Sequence, residues 1–397
     1  MLSGKRVLLG VTGGIAAYKA VELTRSLIKK EASVTVIMTK NATEFISPLT
    51  FQTLSGNPTY VDTFAASRYY DIAHISLTEK TDLMIVAPAT ANCLAKMALG
   101  IADDLLGTTV LALKAPLLLC PAMNVNMWLN PAVQENLDKL KKRGVFVLEP
   151  THGELACKAE GYGRLPEIEE IIEEAESILT EKDLSSEHIL VTAGPTREPI
   201  DPVRFITNYS SGKMGYALAI MARRRGAKVT LVSGPTNLKI PRGVDFVRVT
   251  TAREMYEAVL EHFNAATVVI KAAAVADYRP REVSPEKIKK RTGTLSLLLT
   301  KNPDIIKELG KRKGNRLLIG FAMETENLIE NAYAKLKRKN LDFIVANALT
   351  DEGAGFEKDT NIVTIISKSG EVEKLPRMEK IEVAKCILDK VVRYRGK

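Results

Sequence analysis

Short apolar runs bounded by glycine, proline or polar clusters recur along the chain and alternate with stretches whose apolar positions repeat at helical spacing. Residues 5–9 read as a strand, 10–14 as a glycine turn, 15–29 as a helix and 33–38 as a second strand, together one βαβ unit. Residues 82–87 and 115–120 predict two more strands, running into Pro88-Ala89-Thr90-Ala91-Asn92 and Pro121-Ala122-Met123-Asn124-Val125-Asn126-Met127-Trp128. Residues 166–182 predict an acidic amphipathic helix, with Pro166 at its start and Ile168, Ile171, Ile172, Ala175, Ile178 and Leu179 on one face. The polar break Asp183-Leu184-Ser185-Ser186 then separates two domains, 1–186 and 187–397. Beyond it, 189–192, 228–232, 267–272, 317–321 and 342–346 are strands alternating with helical patterns. The expected fold class is α/β, with two doubly wound domains.

In such sheets ligands sit beyond the carboxyl ends of the strands, which gives the polar loops functional weight. The glycine turn meets a helix N-terminus, where a phosphate is favoured. Its spacing is not GxGxxG, and the second strand ends in Thr39 and Lys40 rather than an acidic residue for an adenosine ribose; NAD is disfavoured and a mononucleotide such as FMN stays open. The 194–212 connection is far longer than the usual roughly two to six residues of a βα turn, so it is read as a functional loop rather than a disordered joint. Arg197, Arg204 and Lys213 supply charge for an anion, and Asn208, Ser210 and Ser211 supply hydrogen bonds. The loop is not a Walker motif, because Met214 occupies the Ser/Thr position that magnesium needs.

Composition narrows the picture. The chain has 397 residues, 46% hydrophobic and 26% charged, enough for two cores, with no apolar run near the roughly twenty residues of a membrane span. The N-terminus passes directly into a strand without a signal-like segment, which places the protein in the cytoplasm. The four cysteines and four histidines are dispersed, indicating neither disulfides nor a transition-metal site. The formal charge of +9 divides into −4 up to Ser186 and +13 from Glu187, so the second half suits a polyanion such as a nucleoside triphosphate. Nucleic acid fits less well, since the basic clusters lack interleaved aromatics. His74, between apolar neighbours, reads as a structural residue, and Trp128 as core or ligand wall alike. Cys157 lies in a glycine-rich flap beside Lys158 and near Arg164, where a proton donor or nucleophile is plausible. Cys93, Cys120 and Cys386 sit in apolar sequence and read as inert core residues.

GGIAAYK at 13–19, PATAN at 88–92, GIADDLL at 100–106, PAMNVNMW at 121–128 and the AC…GYGR flap resemble the flavin-containing cysteine decarboxylases, and within them the phosphopantothenoylcysteine decarboxylases. The resemblance covers nearly all of residues 1–180 and implies a flavodoxin-like domain holding FMN at Gly13, Gly14, Ile15, Thr39, Pro88, Ala89, Thr90 and Asn92. It implies that FMN oxidises the cysteine moiety, a thioaldehyde-type intermediate loses CO2, and the electrons return to an enethiolate. His74 would assist the early steps, Asn124 hold the substrate carboxylate and Cys157 supply a proton. Two positions depart from the pattern: Lys158 stands where glycine is usual and Leu165 where methionine is common.

The 188–215 stretch, KAAAVADYRP at 271–280, KIKK at 287–290, KNPDII at 301–306, GFAMETEN at 320–327 and KLKRKNLD at 335–342 resemble the phosphopantothenate-cysteine ligases. This implies a Rossmann-like domain with CTP at Lys271, Ala272, Ala273, Asp277, Lys287, Pro303, Asp304, Ile305, Ile306, Phe321, Lys335 and Lys339, and Mg2+ beside the phosphates. Arg204, Asn208 and Lys287 would act on the acyl-nucleotidylate that cysteine attacks. CTP is implied by the family's bacterial and archaeal members, while the residues themselves accommodate ATP equally. Joined, the halves resemble a coenzyme A biosynthesis fusion converting 4′-phosphopantothenate and cysteine to 4′-phosphopantetheine, and the resemblance implies a homo-oligomer, a dodecamer, with no nucleic acid or membrane partner. Two rivals remain: a regulatory FMN-binding protein without decarboxylase activity, and a flavin oxidoreductase using NAD(P)H.

Overall fold

The computed structural model describes residues 1–63, 73–154, 160–289, 294–324, 326–348 and 358–396. It divides into two compact units, Met1–Thr180 and Glu181–Lys397. The Asp183–Ser186 stretch, read from sequence as the joint, packs with the second unit: Leu184 is buried and its N–H donates to Arg225 O, while Asp183 binds the Arg225 guanidinium.

The first unit is built on strands β1 (Arg6–Val11), β2 (Ser33–Met38), β3 (Thr59–Tyr60), β4 (Leu83–Ala89), β5 (Leu117–Pro121) and β6 (Phe146–Val147). Their parallel order among the described residues is β3-β2-β1-β4-β5-β6. Without the two-residue edge strand β3 this is the flavodoxin order, with its switch point between β1 and β4. Helices α1 (Ala17–Lys29), α2 (Pro48–Ser55), α3 (Ala73–Glu79), α4 (Ala91–Leu99), α5 (Leu105–Ala112), α6 (Val125–Trp128), α7 (Pro131–Lys142) and α8 (Ile168–Leu179) accompany it. The apolar runs are continuous because both faces of the sheet are covered. Val7, Leu9, Leu83 and Ile85 enter one core with Leu23, Phe51 and Ile171, whereas Leu8, Met84 and Val86 enter another with Leu94, Trp128 and Leu137. Trp128 is therefore a core residue. Antiparallel strands β7 (Thr151–Glu154) and β8 (Glu160–Arg164) form the described part of the segment expected to be a flap.

The second unit contains β9 (His188–Ala193), β10 (Glu198–Pro199), β11 (Phe205–Ile206), β12 (Lys228–Ser233), β13 (Asp245–Arg248), β14 (Val268–Lys271), β15 (Tyr278–Pro280), β16 (Leu299–Lys301), β17 (Leu317–Glu324), β18 (Phe343–Ala348), β19 (Thr360–Asn361), β20 (Thr364–Ser367), β21 (Val372–Lys374) and β22 (Met378–Glu379). The main sheet runs β13-β12-β9-β14-β17-β18-β20-β21, parallel from β13 to β18 and antiparallel beyond. Helices α9 (Lys213–Arg224), α10 (Ala252–Phe263), α11 (Ile305–Lys311), α12 (Leu328–Arg338) and α13 (Lys380–Tyr394) complete it. Leu190, Val232, Val269, Leu318 and Ile344 share one core with residues of α10, α11 and α12. Among the described residues no helix is long and apolar enough to cross a membrane.

Candidate functional site

At the first unit's switch point the chain leaves β1 through Gly13 and Gly14. A methyl group on Gly13 would lie 2.6 Å from Asn41 Cβ and 2.8 Å from the Asn41 carbonyl carbon, so only glycine lets the turn pass beneath the segment after β2. Buried Thr12 ties this turn to the next loop: its hydroxyl donates to Pro88 O at 2.7 Å and accepts from Thr90 N–H at 3.1 Å. Thr90 caps α4, accepting from Cys93 N–H at 3.4 Å. Gly13, Gly14, Ile15, Thr39, Pro88, Ala89, Thr90 and Asn92 are thereby brought to one end of the sheet, with Pro88 and Ala89 buried and Ile15 and Asn92 exposed.

Two adjoining cavities, of about 720 and 440 Å3, open there and share Gly13, Thr90, Ala91 and Met127. Both lie within the range of small-molecule sites. The larger is walled by Met123, Asn124, Arg164 and Lys19, none of which except Asn124 was singled out as a ligand wall. The smaller contains Thr39, whose Oγ1 is buried without a hydrogen-bond partner among the described residues. A buried hydroxyl left unpaired costs about 1–3 kcal/mol, so this atom fits a polar ligand group supplied from the cavity. Asn124 caps α6 with its side-chain oxygen, which accepts from Asn126 N–H at 2.8 Å.

The β7–β8 hairpin lies against this wall. Gly163 has φ +151°, its carbonyl accepts from Met123 N–H at 2.9 Å, and a Cβ there would stand 2.1 Å from Met123 O. Leu165, at the methionine-like position, is buried among Ile168 and Ile171 and belongs to the core. His74 falls in α3; its side chain, and Cys157 and Lys158 altogether, lie outside the described residues. Burial, reinforced by Asp104, pushes the Cys93 thiol up to about 12, and burial pushes Cys120 higher still, so both are inert. Cys386 differs from the reading as a core residue: it is half-buried on α13, near Asp389, Glu373 and Glu382.

In the second unit Gly194, with φ +76°, starts the long loop, and Pro195 bridges Ala274. Glu198 is buried and accepts from Ala252 N–H at 2.9 Å, the first turn of α10. Buried Asp201 organises the β10–β11 hairpin: its carboxylate accepts from Val203 N–H and Arg204 N–H at 2.8 Å each, from Arg204 Nε at 2.9 Å and from Ile288 N–H at 3.2 Å. Arg204 also donates to Ile288 O at 2.6 Å, and Asn208 donates to Ala274 O at 2.6 Å. Both expected catalytic side chains thus help to hold the loop, while Lys287 is exposed beside the Ile288 tether.

Of the expected nucleotide residues, Lys271, Asp277, Asp304, Lys335 and Lys339 gather around the carboxyl end of β14. Lys271 Nζ donates to Ala273 O at 3.0 Å, Lys335 Nζ donates to Phe321 O at 3.1 Å, and Lys339 binds the Asp304 carboxylate. Burial raises Asp304, but hydrogen bonds from Lys339 and Lys307 N–H outweigh it and hold the carboxyl below its usual range. Asp277 adds charge from the loop after β14, Pro303 precedes the Asp304 cap of α11, and Ala273 N–H donates to Thr192 at 3.2 Å. Ala272 is half-buried beside them, whereas the Ile305 and Ile306 side chains lie in the core, so only their backbone could meet a ligand. Sequence reading missed Asp359, which pairs with Lys213 at 2.7 Å, and buried Lys380, which burial and Lys213 hold down at about 8. Among the described residues no group of His, Cys, Asp and Glu could hold a metal ion.

Residues 1–180 match the family described as Flavoprotein, and residues 184–394 match the DNA/pantothenate metabolism flavoprotein C-terminal domain. The Coenzyme A biosynthesis bifunctional protein CoaBC of Bacillus subtilis (strain 168) is 50% identical, covering 98% of this chain and 97% of its own. That of Vibrio cholerae serotype O1 is 45% identical, covering 98% of each. A crystal structure of the C-terminal domain of a CoaBC protein is 48% identical, covers 54% of this chain and 99% of its own, and superposes with a TM-score of 0.48. With half of its residues shared with such a protein along nearly their full lengths, the chain belongs to the coenzyme A biosynthesis bifunctional protein family.

Proposed function

We propose that the second unit joins 4′-phosphopantothenate to cysteine through an acyl-cytidylate, and that the first unit decarboxylates the product to 4′-phosphopantetheine with FMN. The observation that carries the bifunctional reading is one continuous match, 50% identical, that runs through both sheets. Each sheet also carries residues suited to its half of the chemistry. A carboxylate is a poor electrophile, so it must first displace pyrophosphate from a nucleotide. Lys271, Lys335 and Lys339 offer cations for the phosphates, with Mg2+ held chiefly by the phosphates themselves. Arg204 and Asn208 keep the loop that meets the acyl group in place, and Lys287 serves the nucleotide from its exposed segment.

In the first unit FMN supplies a temporary electron store when bound. Gly13, Gly14, Thr39, Thr90 and Asn92 hold it, Asn124 uses its amide to orient the substrate carboxylate, His74 assists proton movement and Cys157 donates a proton at the end. Exposed Ile15, Tyr18 and Met127 at the cleft support a homo-oligomer, for which a dodecamer joins trimeric flavin units to dimeric ligase units. The protein works in the cytoplasm on small molecules. A regulatory flavoprotein has no use for the ligase residues, and no observation favours it.

Thr39→Val is expected to weaken FMN binding about tenfold, the effect of one hydrogen bond to a charged or polar group. Fluorescence titration of the apoprotein measures it, and unchanged affinity would show that Thr39 faces no ligand. The two activities are tested separately. Pyrophosphate release should require 4′-phosphopantothenate and CTP, and CO2 release should require only 4′-phosphopantothenoylcysteine and bound FMN; absence of either removes that half of the assignment.

A further inference from the structure

We propose that Lys271, one of the three amines assigned above to the second unit's nucleotide site, takes up a proton when a polyphosphate binds there. The inference rests on the ligase reading and extends it to proton linkage. Lys271 ends β14, paired with Thr192 of β9 on one side and Gly320 of β17 on the other. The residue is half-buried, and its ammonium donates to Ala273 O at 3.0 Å. The charged groups facing it come from three elements: Lys335 and Lys339 from the α12 end, Asp304 from the cap of α11, and Asp277 from the loop after β14. Asp304 is already committed to Lys339, so the carboxylates only partly offset the crowding of three amines.

Burial, followed by repulsion from Lys335, brings Lys271 down from its ordinary range to about 8. Just above neutral pH the free site therefore holds a mixture of ammonium and amine. A triphosphate brings several negative charges, and an opposite charge within about 4–6 Å restores the charged form by roughly 1–3 pH units. The sign follows from linkage. Affinity is full below about 8, where Lys271 is already protonated, and declines as pH rises between the free and the nucleotide-bound values.

The test is calorimetric titration of CTP into the full-length FMN-loaded protein without 4′-phosphopantothenate. Saturating Mg2+ keeps the nucleotide's own phosphates deprotonated, and two buffers of different ionisation enthalpy report proton movement. Near pH 8 the wild type should take up nearly half a proton, and at most about half, per CTP. Lys271→Arg should bind CTP with almost no uptake, and Lys271→Met should bind about tenfold more weakly, also without uptake. Zero uptake by the wild type, or equal uptake by the arginine variant, overturns the proposal while leaving the ligase reading intact. Failure of the wild type to bind either CTP or ATP overturns both.

Discussion

Replacing Gly163 with alanine is expected to lower decarboxylation at least ~100-fold while leaving the joining of 4′-phosphopantothenate to cysteine unchanged. Two physical effects act together. Gly163 adopts φ +151°, a conformation that side-chain-bearing residues rarely reach. Its added Cβ would also stand 2.1 Å from the Met123 carbonyl oxygen and 3.3 Å from the carbonyl carbon, contacts with backbone that no rotamer change relieves. The hairpin must therefore lift from Met123 and lose the hydrogen bond that Met123 N–H gives to Gly163 O. That loop carries Asn124, and Cys157 lies between β7 and β8 in the sequence, so displacing the hairpin is expected to disturb both groups assigned to the substrate's carboxylate and to the final proton. Gly153→Ala on the partner strand is the control, because its Cβ would meet only the Arg164 side chain at 3.6 Å. Product analysis should show 4′-phosphopantothenoylcysteine accumulating in the first variant and 4′-phosphopantetheine in the second. Normal turnover by Gly163→Ala would mean that the hairpin takes no part in the reaction.

Asp201→Asn is expected to produce the converse defect, a fall of about 100-fold in ligase activity with decarboxylation of supplied 4′-phosphopantothenoylcysteine retained. An asparagine keeps the shape but turns an N–H toward donors that now converge on a carboxylate. Oδ1 still accepts from the Val203 and Arg204 N–H groups, but the new amide nitrogen faces the Arg204 guanidinium and the Ile288 N–H, which lose their acceptor. The Arg204 side chain, followed against burial by the N–H groups of Val203, Ile288 and Arg204, holds the Asp201 carboxyl well below the usual carboxylate range. Because its folded value is depressed, its contribution is present above the ordinary aspartate value of roughly 3.9 and is lost only as pH falls through the folded value. The ligase loop is therefore intact across neutral pH. A ligase pH profile for Asp201→Asn should drop in height without changing its limbs above pH ~6, and an activity equal to wild type would show that the hairpin is ornamental.

Much of the scaffold was legible because buried parallel strands leave continuous apolar runs and glycines mark their ends. The run at 33–38 is β2 without adjustment. Residues 82–87 gave β4 two residues short at its carboxyl end, because Pro88 suggested a loop; the strand instead passes through an irregularity between Val86 and Ala89. The antiparallel edge formed by β20 and β21, joined through Lys368-Ser369-Gly370, was missed, since the strand readings end at residue 346.

Site residues followed the same division. Gly13, Thr90 and Asn124 stand on loops whose positions the βα pattern determines, so sequence could place them at one sheet end. The Asp201 clasp on Arg204 and Ile288 spans 87 residues, and the Lys213–Asp359 pair spans 146, so neither leaves a local signal. Ile305 and Ile306 show the opposite limit. Resemblance places them at the nucleotide, yet their side chains anchor α11 in the core, which explains their apolar character without reference to a ligand.

The most direct test of the account is mass spectrometry of products after the FMN-loaded protein meets 4′-phosphopantothenate, cysteine, Mg2+ and either CTP or ATP. The account predicts 4′-phosphopantetheine and CO2, formed with CTP in preference to ATP and with cytidine monophosphate and pyrophosphate released. Unchanged 4′-phosphopantothenate with both nucleotides, in a protein that retains its flavin, would contradict it.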